Sequence, residues 1–219
     1  MSPEIDNPGR ERILARIRAA LRAPAPKHPA PASAGEIFPP IPDPLARFRK
    51  ECAENKTECL IVPNRGAIAS ALAEILTSIP AGEIFVQDAP LLREMASSWG
   101  ADRPIRWSSQ GGPAESSQAT ITLAEALVAQ TGSVFVSAAC GGRGASVVAP
   151  VHIVVAGIGQ MVPSLNSAFA RLRASGALAQ NSFLCLITGS SRTADIEKIL
   201  VHGAHGPRRL VVVLSLDPP

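Results

Sequence analysis

Residues 210–216 read LVVVLSL, and this stretch decides the fold class. A strand built from it is apolar on both faces, as is typical of a central strand in a sheet covered on both sides. The stretches SVFVS at 133–137 and FLCLIT at 183–188 are further apolar strand candidates. Strands that alternate with helices of about ten residues indicate a parallel sheet. We therefore predict an α/β fold with a mostly parallel sheet covered by helices.

The same alternation extends through most of the chain. Strands are predicted at residues 58–62, 83–87, 104–107, 133–137, 183–188 and 210–216, with short β-branched runs at 146–148 and 152–156. Helices are predicted at residues 9–22, 45–55, 67–78, 91–98, 123–129, 164–173 and 194–201. Apolar residues at helical or strand spacing are the basis of each assignment.

Composition excludes some classes of partner. The chain has 219 residues, of which 46% are hydrophobic and 18% charged, enough for one folded domain plus an appendage. Aromatic residues make up 4% and Tyr is absent, which argues against base stacking on single-stranded nucleic acid. The net charge of +3 is too small to indicate a polyanion partner. We therefore expect no nucleic-acid partner.

The N-terminal part differs from the rest, since ten of the 20 prolines lie in residues 1–44. We predict an amphipathic helix and a Pro-rich tether in residues 1–44, followed by an α/β domain in residues 45–219. The helix has a basic polar face, and such helices bind membranes or partner grooves. The interpretation favoured here is a helix docked on its own subunit or on a neighbouring one, which includes a homodimer.

The cysteine pattern indicates neither a metal site nor a disulfide framework. Cysteines stand at positions 52, 59, 140 and 185, without a C-x-x-C pair or a Cys/His cluster. We therefore expect no metal and no cofactor in this chain, and a reducing cytoplasmic location. The opening residues lack a secretory signal. The uncharged stretch 144–170 is interrupted by prolines, glycines and polar residues, so no membrane span is predicted.

A first candidate site follows the predicted strand at 183–188. Residues 188–197 read TGSSRTADIE and are predicted to open a helix. Backbone N–H groups at a helix start attract anions, Ser191 and Thr193 supply hydroxyl groups, and Arg192 adds a bidentate donor for carboxylate or phosphate. Plain helix capping by the same residues remains an alternative.

Two further residues are candidates for the same anion site. Arg143 is the lone cation in a long apolar stretch and is flanked by glycines that allow close approach. His205 lies in a Gly-flanked loop just before the last strand. Cys140 stands beside the Arg143 loop, and a structural role for this thiol is favoured over a reactive one.

Three blocks of the sequence resemble the LUD-domain family: ALVAQTGSVFV, PVHIVVAGIGQMVPSLNSAFARL and ITGSSRTADIEKILVHGAHGPRRLVVVL. The resemblance covers about residues 45–216. It implies an α/β fold of the NagB/RpiA/CoA-transferase type in a bacterial cytoplasm. It also implies work with two iron–sulfur partner proteins in oxidising L-lactate to pyruvate. Gln130 replaces the usual family Glu, which puts covalent catalysis in the style of CoA transferases in doubt, and Ser190 replaces a usual Pro.

The resemblance thus implies a non-redox subunit of an L-lactate-oxidising system. It would bind a small carboxylate or phosphate at the strand ends through Arg143, Ser191, Arg192, Thr193 and His205. A stand-alone CoA-transferase-like, acyl or phosphate-ester enzyme is the alternative, and a non-catalytic scaffold is a third reading. Whether chemistry occurs in this chain is left open by the sequence.

Overall fold

The computed structural model describes residues 8–22, 39–99, 103–111, 114–195, 199–202 and 206–217. For residues 115, 192–195 and 199–202 only the backbone is described. The helices in these ranges are α1 Pro8–Arg22, α2 Pro44–Glu54, α3 Ala67–Thr77, α4 Pro90–Met95, α5 Leu165–Ala174 and α6 Ala177–Gln180. The strands are β1 Thr57–Val62, β2 Ile84–Val86, β3 Ile105–Trp107, β4 Ala119–Leu123, β5 Ala126–Val128, β6 Ser133–Ser137, β7 Val151–Gly157, β8 Met161–Val162, β9 Leu184–Ile187, β10 Arg192–Asp195, β11 Ile199–His202 and β12 Arg209–Ser215.

Six of the described strands form one sheet in the order β1-β12-β7-β4-β2-β3, and every neighbouring pair is parallel. The segment that decided the fold class is β12. Its Leu210 lies opposite Thr57 of β1 on one side and His152 of β7 on the other. The predicted α/β class with a mostly parallel sheet is therefore confirmed.

The core lies on both faces of this sheet, because successive side chains of a strand point to opposite faces. Val211 and Val213 of β12 pack in one cluster with α3 and α4. Val212 and Leu214 pack in a second cluster with Phe48 of α2 and with residues of β5 and β6. β12 therefore joins the two halves of the core.

A smaller sheet has the order β8-β5-β6-β9. Its central strands β5 and β6 are antiparallel and are joined by a tight turn, in which Gly132 has φ +62°. Helix α5 packs on it, since Ala168 and Leu172 share a buried cluster with Ala126 and Phe135. The smaller sheet and α2 thus cover one face of the parallel sheet, while α3 and α4 cover the other.

The predicted helix at 123–129 is wrong, because these residues end β4 and form β5. Ala126, Leu127 and Val128 are all fully buried. An apolar run that is buried on every side has no periodicity to distinguish a strand from a helix. Pairing with β6 across the following turn gives the strand.

The predicted helix at 194–201 is also wrong. The chain forms β10 and β11 there, an antiparallel pair in which Arg192 lies opposite His202 and Asp195 opposite Ile199. A helix of eight residues is marginal by itself because its nucleation is costly, so pairing between strands can override the local helical pattern. The strand at 183–188 is correct, but β9 is an edge strand and Leu186 is 37% exposed rather than buried.

Residues 1–39 and 40–219 form two compact units. In the first unit the structure describes α1, which matches the predicted amphipathic helix. Its apolar side chains Ile13, Ile17 and Leu21 are exposed. None of the described helices is both long and apolar enough to cross a bilayer.

Candidate functional site

A cavity of about 340 Å³ lies at the carboxyl ends of the parallel strands. It is bordered by the ends of β4, β7 and β12 and by the segments that follow β1 and β2. Parallel strands all end at the same edge of a sheet, and open α/β sheets bind their ligands there. The volume is in the range of small-molecule sites, which are about 300–1,000 Å³. This cavity is therefore the candidate ligand site.

The walls of the cavity are mainly apolar. Ile68 comes from α3, Pro90 and Leu91 from α4, and Leu123 and Val155 from the ends of β4 and β7. The polar groups lie among four residues that line it: Arg65, Gln160, Ser215 and Asp217. An apolar body with a few polar groups is the usual composition of a site for an organic ligand.

Arg65 is the cation of the cavity lining. It lies in the turn between β1 and α3, where its backbone N–H donates to Asp217 Oδ2 at 2.9 Å. Its guanidinium Nη2 lies 3.3 Å from Glu94 Oε2, and the two side chains are 52% and 72% exposed. An ion pair this exposed contributes little. The guanidinium can therefore exchange Glu94 for a ligand carboxylate or phosphate.

Two other polar groups near the cavity already have protein partners. Gln160 accepts a hydrogen bond from the Gly157 N–H at 2.8 Å and donates to the Ala124 carbonyl, so it links the ends of β7 and β4. Asp88 accepts two hydrogen bonds from Arg93 and one from Ser109. These bonds lower the pKa of Asp88 to about 2. Asp88 is therefore ionised at neutral pH and is poorly suited to act as a general acid.

The predicted site residues Arg143 and Ser191 lie elsewhere. Val147, four residues after Arg143, and Ser191 both border Gly206, whose added Cβ would lie 3.9 Å from the Val147 carbonyl and 3.4 Å from Ser191 Oγ. Gly206 precedes β12, and the Val147 loop precedes β7. This group of residues is therefore at the amino ends of the strands, opposite the cavity. The Arg143 guanidinium lies 5.5 Å above the ring of Phe183, a cation–π contact.

The remaining predicted residues are described only in part. Arg192 and Thr193 lie in β10 rather than at a helix start, so the anion site expected from helix N–H groups has no helix there. Ser191 donates its N–H to the Pro207 carbonyl at 2.8 Å. His205 lies outside the described residues. Binding of an anion by these residues stays a prediction.

The Cys140 thiol is 1% exposed, and burial raises its pKa to about 11. It donates to the Gly142 carbonyl at 3.5 Å. The structural role favoured by the sequence fits this environment. Within the described ranges, no three His, Cys, Asp or Glu side chains come together as a metal site.

Gln130 stands in the turn between β5 and β6, and this turn is held by α2. Arg47 Nη2 donates to the Gln130 carbonyl at 3.4 Å, and Asn55 Nδ2 donates to the Thr131 carbonyl at 3.0 Å. Cys52 Sγ lies 3.8 Å from the Gly132 carbonyl and donates to it. The residues that line the cavity do not include Gln130. The position of the usual family Glu is therefore part of a structural contact with α2 in this chain.

His152 was not predicted from the sequence and is the buried titratable group of β7. Its side chain is fully buried, and Nε2 lies 2.8 Å from Thr122 Oγ1. Nδ1 has no hydrogen-bond partner among the described residues. Burial lowers the pKa of His152 to about 4, so the ring is neutral at pH 7. Its signal in the sequence was a single His within an otherwise apolar run.

Fold and cavity together define an α/β protein with a candidate ligand pocket at the carboxyl ends of a parallel sheet. The LUD domain family model matches residues 113–215, which span β4 to β12. Residues 113–215 are thus similar to the LUD domain family, as the three sequence blocks indicated.

Curated relatives agree with this assignment. Lactate utilization protein C of Bacillus subtilis is 26% identical over 186 residues, covering 78% of this chain and 77% of the relative. Lactate utilization protein C of Geobacillus thermodenitrificans is 28% identical over 192 residues, covering 80% and 79%. The crystal structure of a DUF162 family protein from Deinococcus radiodurans superposes with a TM-score of 0.61 at 20% identity, covering 78% of this chain and 96% of that one. This last likeness supports the fold.

Proposed function

We propose that this chain acts in lactate utilization as a ligand-binding subunit that works with iron–sulfur partner proteins in the cytoplasm. The match of residues 113–215 to the LUD domain family and the similarity to several proteins named lactate utilization protein C support the role. The observation that carries the ligand-binding part is the cavity at the carboxyl ends of β4, β7 and β12, with Arg65 at its border.

The ligand of this cavity is a small acid with an apolar part. Arg65 supplies a guanidinium for a carboxylate or a phosphate. The walls formed by Ile68, Leu91, Leu123 and Val155 supply apolar contact for the rest of the molecule. A three-carbon acid fills only part of the cavity volume of about 340 Å³. Acids of the same series with a longer carbon chain therefore also fit.

The length of the carbon chain of the acid provides a test of this cavity. We expect calorimetric titration of the full chain to show that affinity rises from L-lactate to 2-hydroxybutanoate to 2-hydroxypentanoate. Each buried methylene contributes about 0.8 kcal/mol, equivalent to about a fourfold gain in affinity. An affinity that does not change with chain length would show that the acid binds outside the apolar cavity.

Arg65→Ala should weaken binding of the same acids at least about tenfold, since a hydrogen bond to a charged group contributes about 1.5–3 kcal/mol. The matched control is Arg173→Ala, which removes an exposed arginine of α5 and should leave affinity unchanged. If Arg65→Ala binds as tightly as the wild type, Arg65 does not contact the ligand.

The second anion site at the amino ends of β7 and β12 remains a proposal for Arg143, Ser191, Arg192, Thr193 and His205. The loops of Arg143 and Ser191 both border Gly206, which supports a shared site. Arg143→Ala in the titration above distinguishes the two sites. Loss of binding in Arg143→Ala with normal binding in Arg65→Ala would assign the acid to the amino-end site.

The partnership is tested in the source cell. We expect the tagged full chain to co-purify with iron–sulfur proteins, and the assembly to oxidise L-lactate to pyruvate. The exposed Ile13, Ile17 and Leu21 of α1 support a docking role for that helix, on a partner or on a second copy of the chain. If the partner proteins oxidise L-lactate equally fast with and without this chain, its role as a subunit is contradicted.

The alternative, a stand-alone CoA-transferase-like or ester-cleaving enzyme, predicts turnover of an acyl-CoA or phosphate ester by the isolated chain. The Gln130 position favours the subunit role, since the residue is an amide rather than a carboxylate and its backbone is bound to α2. Turnover by the purified chain alone would favour the enzyme. If the chain is instead a non-catalytic scaffold without a ligand, none of the acids tested above should bind.

A further inference from the structure

Cys52 and Cys59 lie side by side, although the sequence separates them by a helix end. Cys52 is on α2 and Cys59 is on β1, which returns directly after the helix through Asn55 and Lys56. Their thiols are within hydrogen-bonding reach of each other. Both side chains border the same apolar cluster between α2 and the parallel sheet.

The two thiols differ in exposure. Cys52 is fully buried, whereas Cys59 is partly exposed on β1, an edge strand of the parallel sheet. A small oxidant can therefore reach Cys59 from solvent, and Cys52 lies behind it. In such an arrangement the first thiol reacts with the oxidant, and the second thiol can then displace the hydroxyl group of the resulting sulfenic acid.

The electrostatics favour Cys59 as the attacking thiolate. The hydrogen bond from Cys52 lowers the pKa of Cys59, and the charge of Arg49 on α2 acts in the same direction, while burial opposes both. The same hydrogen bond and burial raise the pKa of Cys52. Cys59 is therefore the more acidic thiol of the pair.

We propose that Cys52 and Cys59 form a peroxide-sensitive dithiol that oxidises reversibly to an intramolecular disulfide. The Cys59 thiolate attacks one oxygen of the peroxide, the O–O bond breaks, and Cys59 sulfenic acid and hydroxide form. The hydroxide takes up from solvent the proton that Cys59 released on ionising, and becomes water. The Cys52 sulfur then attacks the Cys59 sulfur, its proton joins the leaving hydroxyl as a second water, and the S–S bond forms. Two thiols are oxidised while one peroxide is reduced to two waters.

The disulfide changes a contact of the turn between β5 and β6. In the reduced protein the single S–H of Cys52 can donate either to Cys59 or to the Gly132 carbonyl, which lies 3.8 Å from Cys52 Sγ. The oxidised sulfur has no proton to donate, so this contact is lost, while the bonds from Arg47 and Asn55 to the neighbouring carbonyls of the turn do not depend on it. Oxidation therefore acts on the turn that holds Gln130.

The test uses the full chain and hydrogen peroxide, followed by peptide mapping without reduction. We expect a Cys52–Cys59 linked peptide, a mass loss of two hydrogen atoms, and recovery of both thiols with a dithiol reductant. Cys185 is the internal comparison, because it is also partly exposed but burial raises its pKa. Cys59 should react about tenfold faster than Cys185 at neutral pH.

Single variants separate the two roles. Cys52→Ser should leave a sulfenic acid on Cys59 that dimedone traps, whereas Cys59→Ser should leave Cys52 unreacted over the same exposure. The matched control Cys185→Ser should form the disulfide as the wild type does. Absence of the linked peptide in the wild type, or reaction of Cys185 as fast as Cys59, overturns the proposal without reference to any variant.

Discussion

Gly132→Ala is expected to lower the free energy of unfolding by about 3 kcal/mol or more, through strain at positive φ and through overpacking. Gly132 has φ +62°, a conformation that disfavours a side chain. An added Cβ would lie 2.8 Å from the backbone N of Cys52 and 2.8 Å from the carbonyl C of Glu51. Because these atoms belong to the backbone of α2, the helix or the turn must shift. Urea unfolding of the two proteins measures the difference.

Gly176→Ala is the matched control for the backbone conformation alone. Gly176 has φ +77°, and an added Cβ would meet Nε2 of Gln180, the far end of a flexible side chain that can move away. We expect the free energy of unfolding of this variant to fall by about 1 kcal/mol, which is the cost of placing a residue other than glycine in the left-handed conformation. Equal losses in the two variants would show that the turn is not held tightly against α2.

Acidification from pH 7.5 to pH 5 is expected to destabilise the protein by about 2 kcal/mol through His152 alone. The folded pKa is about 4, below the ordinary value of 6.5. Between these values the unfolded state binds the proton and the folded state does not, so stability falls as pH falls through that window. Above the ordinary value the imidazole is neutral in both states, and its effect vanishes. Denaturant unfolding at the two pH values measures the change.

His152→Gln is the variant that tests this assignment. The amide has no titration in this range and can retain a hydrogen bond to Thr122 Oγ1, the partner of the His152 ring. Each protein is compared with itself at the two pH values, so a general loss of stability in the variant does not affect the result. If acidification lowers the free energy of unfolding of His152→Gln as much as that of the wild type, the acid sensitivity belongs to another group.

The parallel sheet could be predicted because its strands carry a signal in the local sequence. β12 and β7 are apolar on both faces, and α3 has Ile68, Leu72 and Ile75 at helical spacing. β5 was missed for the opposite reason: complete burial of Ala126 to Val128 removes any periodicity. The β10–β11 pair was missed because pairing between strands decided a segment whose local pattern was helical.

The site was harder to predict because its parts are distant in sequence. The cavity joins segments that follow five different strands, and the signal of Arg65 was only a strand, a turn and a helix in succession. The same pattern was expected at Arg192 instead, where the helix does not form. Cys52 and Cys59 show no recognised spacing motif, and only the return of β1 beside α2 brings them together.

The position of β12 has a consequence for synthesis of the protein on the ribosome. β1 and β7 are both made before β12, yet β12 pairs with each of them, so that Leu210 lies opposite Thr57 of β1 and opposite His152 of β7. Until residues 209–215 emerge, the nascent chain has two unpaired strand edges next to an incomplete core. Exposed edges and delayed non-local pairing make folding slow and favour aggregation. The parallel sheet is therefore completed after translation of β12, and a nascent chain paused before that point is prone to aggregate.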